Sequence, residues 1–586
     1  MQSSLLFLIN KRALVVAFIT GLCGEVFAAS GYFRSSGESW NFADAGNWYT
    51  AQTGSTLLGR VPGSTDDAYL SVGTKESPVL KGDSGTNTVA RFELCNLAGS
   101  TGALRQTNGG LNSSGHCFLG GGIGADAHYL MEGGSFNQTA SSTYYCAFGR
   151  WGRFQLDKSG GTMTIASGSV KPVMIGGNPS ALSTSANAVT GIVTQTGGTF
   201  RLTNASGALE LGFGVGATGI LTNGPDGTVE SACKILVGDG GFGEIANDGE
   251  LSMRCMQVGV SAGSIGHVVN AGMVRQTTDT ADINYAYALL VARNNSATGL
   301  VDVLDGGILQ ISNDVALAYG TSGTTANRQA VIRLAGGTLT SGDLSFTKAY
   351  DLNICDYADV DYGSVEASVT GYGTVEGYYV KNSGRIVADG MGVENDLVFT
   401  NNSIRPNANA GTGSGWYAVR KGRLVLPSFS GSLKKVTLGD YSASGDVRTN
   451  DLVNAVHVDA ATSDYSRPWQ LRLYAPGRSD LPTGLDAALM VPCVWSISSP
   501  TVADASISFH FDATAFLCPE GWSQRVFLMR YDEATAAWIV CRRLDGAEIA
   551  SGYADVHDVS STASDGLGFW AVVSRMSPNG TVVVIQ

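Results

Sequence analysis

The sequence predicts an all-β protein: a right-handed parallel β-helix (a solenoid) over most of the chain, followed by an immunoglobulin-like β-sandwich. Three observations predict it. A degenerate repeat runs from Cys117 to Leu339. Its apolar residues alternate with a period of two, as strands require, and no copy has the three-to-four spacing of a helix. Past about residue 430 glycine thins out, and Trp469, Trp495, Trp522, Trp538 and Trp570 appear.

Each copy of the repeat has two halves. The first reads apolar-x-apolar-Gly, as in Phe118-Leu119-Gly120, Leu236-Val237-Gly238 and Gln257-Val258-Gly259. The second closes on Gly, a variable residue and an apolar residue, as in Gly160-Gly161-Thr162-Met163 and Gly336-Gly337-Thr338-Leu339. The anchor before the first turn falls at 119, 148, 175, 211, 237, 258, 291 and 317. These seven intervals average about 28 residues, within the range of repeat architectures and short of the roughly 40 that a four-stranded propeller blade needs. Glycine at fixed offsets supplies positive φ at tight corners. A single copy cannot bury its apolar edge alone, so the copies must stack in register.

In chain order, residues 1–28 read as a secretory signal. Lys11 and Arg12 precede an apolar run, Ala13 to Cys23, too short to span a bilayer, and Val26-Phe27-Ala28 is a small-x-small cleavage site. No later segment is long and apolar enough to span a membrane. The mature chain is therefore expected outside the cytoplasm, secreted or at a bacterial cell surface. The net charge of −13 without a basic stripe argues against nucleic acid as a partner.

Ten cysteines become nine when Cys23 leaves with the signal. Cys117 and Cys146 each stand two before an anchor, so they occupy one position in consecutive copies. Neighbouring strands lie about 4.8 Å apart, a spacing that a disulfide tolerates and that two buried thiols fill equally well.

Residues 29–90 form an N-terminal capping segment with Trp40, Asn47-Trp48, Pro62-Gly63 and Asp66-Asp67-Ala68. Neighbouring residues on a strand point to opposite faces, which disfavours a cation site on the Asp66-Asp67 pair. This opening, followed by Gly-Gly-Thr-apolar copies, resembles autotransporter passengers and autotransporter-associated β-strand repeat proteins over roughly residues 35–430. The resemblance implies a secreted bacterial β-helix and leaves adhesin, enzyme and scaffold open. The membrane β-barrel that ends a classical autotransporter has no counterpart after residue 430.

The parallel β-helix is expected to cover residues 91–429. Its later copies surround Asp356-Tyr357-Ala358-Asp359-Val360-Asp361-Tyr362, in which Asp359 and Asp361 would share a strand face. Paired carboxylates suit a calcium-assisted polysaccharide lyase or a glycoside hydrolase. Lys381, Arg385 and Arg405 are the basic residues near them in sequence. A solvated acidic face is the competing reading. Calcium is the one cofactor this pattern suggests, and glycans or cell-surface components are the partners. No recognisable catalytic set is present. Gly115-His116-Cys117 and Gly266-His267-Val268 lack the second glycine of the Gly-His-Gly that polygalacturonase-like enzymes carry, and Gly384-Arg385-Ile386-Val387 ends in valine where that set has lysine.

Ser159, Thr196, Asn247, Asn270 and Asp305 stand two before a closing glycine. Stacked, they are expected to form a polar hydrogen-bonding column along one corner. Residues 430–586 are expected to form the sandwich, from seven strands: Gln470–Tyr474, Ala487–Ile497, Ala505–Phe511, Arg525–Tyr531, Ala537–Cys541, Gly568–Ser574 and Thr581–Ile585. Cys493, Cys518 and Cys541 could supply one staple.

Overall fold

The computed structural model describes the chain from residue 29 to residue 578, apart from 34–40, 52–55, 71–78, 82–84, 140–145, 167–171, 178–188, 278–286, 295, 319–327, 343–350, 355–364, 378, 383, 391–394, 401–402, 406–415, 427, 430–434, 439–455, 464–468, 475–480, 486–493, 499–501, 512–521 and 562–567. The described part is all-β. Its one α-helix, Gly546–Ser551, starts on a capping box between Asp545 and Glu548.

Successive copies feed two long parallel sheets. Each copy adds one short strand to the first sheet and two strands, or one long strand bent in the middle, to the second. The Cys117–Leu119 strand pairs in parallel with Cys146–Phe148, which pairs in turn with Val173–Gly177. Across the molecule Asp126–Met131 lies between Thr101–Gln106 and Arg153–Lys158.

The register puts like over like. Leu119, Phe148, Ile175, Leu211, Val237, Val258, Val291 and Leu317, the eight anchors of the repeat, form one unbroken file. The file runs back through Leu94 to Leu70 and on to Ile354. All eleven positions are buried. The stack therefore includes Asp67–Leu70 and Ser30–Phe33, ahead of the expected start at residue 91.

Glycine has two distinct duties here. Directly after each anchor the backbone turns through positive φ, at Gly120, Gly149, Gly176, Gly212, Gly238 and Gly259, and Ala292 and Ala318 take the same conformation. On the second sheet Gly191, Gly219, Gly243, Gly266 and Gly299 share one file. There the two sheets approach so closely that a Cβ on Gly219 would lie 2.0 Å from the Ile175 carbonyl oxygen.

Beyond residue 430 the strands run antiparallel. Trp469–Tyr474 adds to Arg423–Leu426 and so continues the second sheet. Val494–Ser498, Gly568–Pro578, Trp522–Asp532 and Ala537–Arg543 extend it. Lys435–Leu438, Val456–Ser463, Val502–His510 and Tyr553–Ser561 form a separate antiparallel sheet. Phe509 of that sheet packs on Trp495 and Trp570 of the other, at 5.1 and 5.2 Å between ring centres. Trp495 and Trp570 are core residues, while Trp538 is half-buried. The expected strand Thr581–Ile585 lies outside the described residues.

Candidate functional site

Asp359 and Asp361 lie outside the described residues. Lys381 and Arg405 are register partners on the first sheet, in Tyr379–Asn382 and Ser403–Arg405. Arg385 stands on the second sheet, in Arg385–Asp389. The three basic residues are thus not brought to one place. Cys117 and Cys146 are register partners, as their spacing predicts. Both are buried free thiols, and burial pushes the Cys117 thiol well above its usual range. A spacing that suits either form here sets two buried thiols side by side.

Asp66 is closed to cations from solvent. Its buried carboxylate accepts from the Arg60 guanidinium and from the backbone N–H groups of Gly63 and Ala29. The Arg60 hydrogen bond, against the opposing effect of burial, holds it down at about 2. Asp67 points elsewhere and accepts from the Tyr69 hydroxyl.

The best-formed set of titratable groups lies on the outer face of the second sheet. Residues 242–247 and 265–270 alternate outward and inward, so Glu244 and His267 face out as register partners. Asp302 and Arg333 face out as partners one file over. His267 Nε2 lies 3.0 Å from Asp302 Oδ2, and its Nδ1 lies 3.5 Å from Glu244 Oε2. Arg333 Nη2 donates to the same Asp302 oxygen at 2.8 Å. The hydrogen bond to Asp302 raises the His267 pKa, with burial opposing it. Burial pushes Asp302 up, but bonds from His267 and Arg333 outweigh it and leave it lowered.

With His267 protonated, two cations face two carboxylates; in either state both ring nitrogens are engaged. With each ring nitrogen turned to a carboxylate, neither is open to take a proton from a substrate as a general base does. The same diagonal recurs in the same two files, where His128 Nε2 lies 2.8 Å from Asp157 Oδ2 and Gln155 donates to Asp157. The recurrence identifies cross-strand pairing, the unit by which sheets are stabilised. Arg385 sits in the His267 file four strands further on, or about 19 Å away at the usual strand spacing.

The sequence reading missed Glu210. It faces outward from the first sheet, between Met174 and Leu236 in register, yet it is only 9% exposed. The whole file from Glu93 to Asn353 is similarly buried. Part of the cover is the Arg150 guanidinium, 4.0 Å from the centre of the Phe118 ring. Burial pushes Glu210 up to about 8; Asp239 adds to the effect and Lys234 opposes it. Among the described residues its Oε2 has no hydrogen-bond partner. The available signal was an acid at the position that Phe118, Ala147 and Met174 fill in other copies.

Among the described residues no helix is long and apolar enough to cross a membrane, and no group of three or more His, Cys, Asp or Glu could hold a metal ion. Comparison with protein-family models, with curated proteins and with solved structures gives no match.

Proposed function

We propose that this chain is an exported protein of the cell surface or extracellular space, an adhesin or surface scaffold without catalytic activity. In this reading the two parallel sheets wind as a right-handed parallel β-helix that serves as a rigid spacer. The antiparallel strands beyond residue 430 form the immunoglobulin-like sandwich that closes it. The supporting observation is the buried file from Leu70 to Ile354. Copies that bury their apolar edges only against neighbours make an extended element whose repeated outer face suits multivalent contact with glycans or other surface components. The signal-like residues 1–28 and the resemblance to autotransporter passengers support export. Surface shaving with protease, together with binding to a glycan array, tests this reading. Cleavage from intact cells and binding without turnover are expected. Retention inside the cell contradicts it.

One observation favours a second reading, a polysaccharide lyase or hydrolase near residues 351–405. Asn353, Lys381 and Arg405 are consecutive in one file, and the first of these strands leads directly into the segment that carries Asp359 and Asp361. A cation such as calcium would bind there. New reducing ends or unsaturated products from a polysaccharide panel, lost in Asp359→Ala, would establish this reading and remove the first.

A further inference from the structure

Asparagine is chemically labile, most of all before glycine, where no Cβ hinders attack by the next backbone nitrogen on the side-chain carbonyl carbon. Three Asn-Gly pairs occur in the chain: Asn108-Gly109, Asn223-Gly224 and Asn579-Gly580. Asn579 lies outside the described residues, and the fold holds the other two in opposite ways.

Asn223 is buried within the long strand Thr218–Ser231. Its side-chain amide donates to Asn247 Oδ1 at 2.7 Å and to the Glu250 carbonyl at 3.1 Å. Closing a ring there would break both bonds and distort a strand that is paired on either side. Asn108 is exposed, in the corner between Thr101–Gln106 and Gly110–Ser113. Among the described residues the Gly109 N–H donates only to Asn108 Oδ1, at 2.9 Å. The side chain is thus already folded back onto the nitrogen that it must meet, and that nitrogen holds no bond to a neighbouring copy.

We propose that Asn108 is a site of spontaneous deamidation and isoaspartate formation, with water as co-reactant. The Gly109 nitrogen gives up its proton to solvent and bonds to Asn108 Cγ. The Cγ–Nδ2 bond breaks, and the side-chain nitrogen takes a proton back and leaves as ammonia. Water then opens the cyclic imide at one of its two carbonyls, giving aspartate or isoaspartate. In the isoaspartate the main chain runs through Cβ and Cγ and is longer by a carbon. That lengthening falls where copies are joined. The Gly109 carbonyl accepts from the Ser135 N–H at 2.8 Å and from Gln106 Nε2 at 3.0 Å, and the Gly110 N–H donates to the Gly85 carbonyl at 2.8 Å. Ageing at this corner therefore loosens the join between successive copies.

Peptide mapping by mass spectrometry, on the folded full chain held in mildly alkaline buffer, follows both sites. Asn108 should gain about one mass unit. It should convert roughly tenfold or more faster than Asn223, which reacts only through local opening. In denaturant the two rates should converge. Aged wild-type protein should melt below fresh protein, whereas Asn108→Gln, whose longer side chain disfavours the ring, should melt alike before and after ageing. The side chain is exposed, so an unchanged initial melting temperature verifies the fold of this variant. An Asn108 that stays unmodified overturns the proposal. So does an Asn223 that converts as fast in the folded chain, or an aged Asn108→Gln that loses as much stability as the aged wild type.

Discussion

Asn247 donates to Asn270 Oδ1 at 2.8 Å and to the carbonyls of Gly249 and Met273, while accepting from Asn223 at 2.7 Å. With Asn270 bonding Ile308, three buried asparagines tie successive copies together. Replacing Asn247 by leucine strands donors and acceptors on both sides and should cost about 1–3 kcal/mol, read from the denaturant midpoint. The same file contains Lys158, register partner of Gln195, whose ammonium donates to the Gly197 carbonyl at 2.8 Å. Burial lowers its pKa to about 8. Lys158→Gln should therefore stabilise the fold by about 1–2 kcal/mol at pH 7. The gain should shrink between pH 8 and 10.5, where the folded lysine sheds its proton and the unfolded one keeps it. Glu210 acts in the opposite sense. Its raised pKa makes its contribution complete below about 4.5, the unfolded value, and lost as pH rises through about 8. Melting temperature should fall across that window, and Glu210→Gln should flatten the fall. Two of the five residues expected in the polar column belong to it. Asn247 and Asn270 are members, but Ser159 and Thr196 stand one residue beyond Lys158 and Gln195, and Asp305 lies two beyond Val303. Turn lengths vary between copies, with a register shift between Gln195 and Gly197. Strand register, not distance to the closing glycine, fixes the column.

At the scale of the element, the two glycine files set how close the sheets come. A Cβ at Gly219 would meet the Ile175 carbonyl oxygen at 2.0 Å and the Gly212 nitrogen at 2.4 Å, both backbone atoms that cannot swing aside. Gly219→Ala should cost about 3 kcal/mol through overpacking, visible as a lower thermal midpoint. The anchors were readable because the strand period marks the same residue in each copy and an αL glycine follows it in six of the eight, with Ala292 and Ala318 in the other two. The burial of the outward file on the first sheet was not readable, since cover depends on segments whose length and composition differ from copy to copy. In the C-terminal region most apolar strands were legible, but Val456–Ser463 and Tyr553–Ser561 were not. Val-His-Val-Asp-Ala-Ala-Thr-Ser alternates too weakly to separate from a loop.

At the scale of the whole molecule, the account rests on copies far apart in sequence lying at fixed intervals along one axis. Asp126, Ile265 and Gln329 share an outward file on the second sheet, with Ile265 five strand steps and Gln329 seven steps from Asp126. Nitroxide labels attached through a keto amino acid at these sites, leaving the native cysteines untouched, report the distances by double electron–electron resonance. Narrow distributions near 24 Å for Asp126 with Ile265 and near 34 Å for Asp126 with Gln329 are the expected result, at about 4.8 Å per step. Broad distributions, or a distance to Gln329 no longer than that to Ile265, would contradict the stacked register.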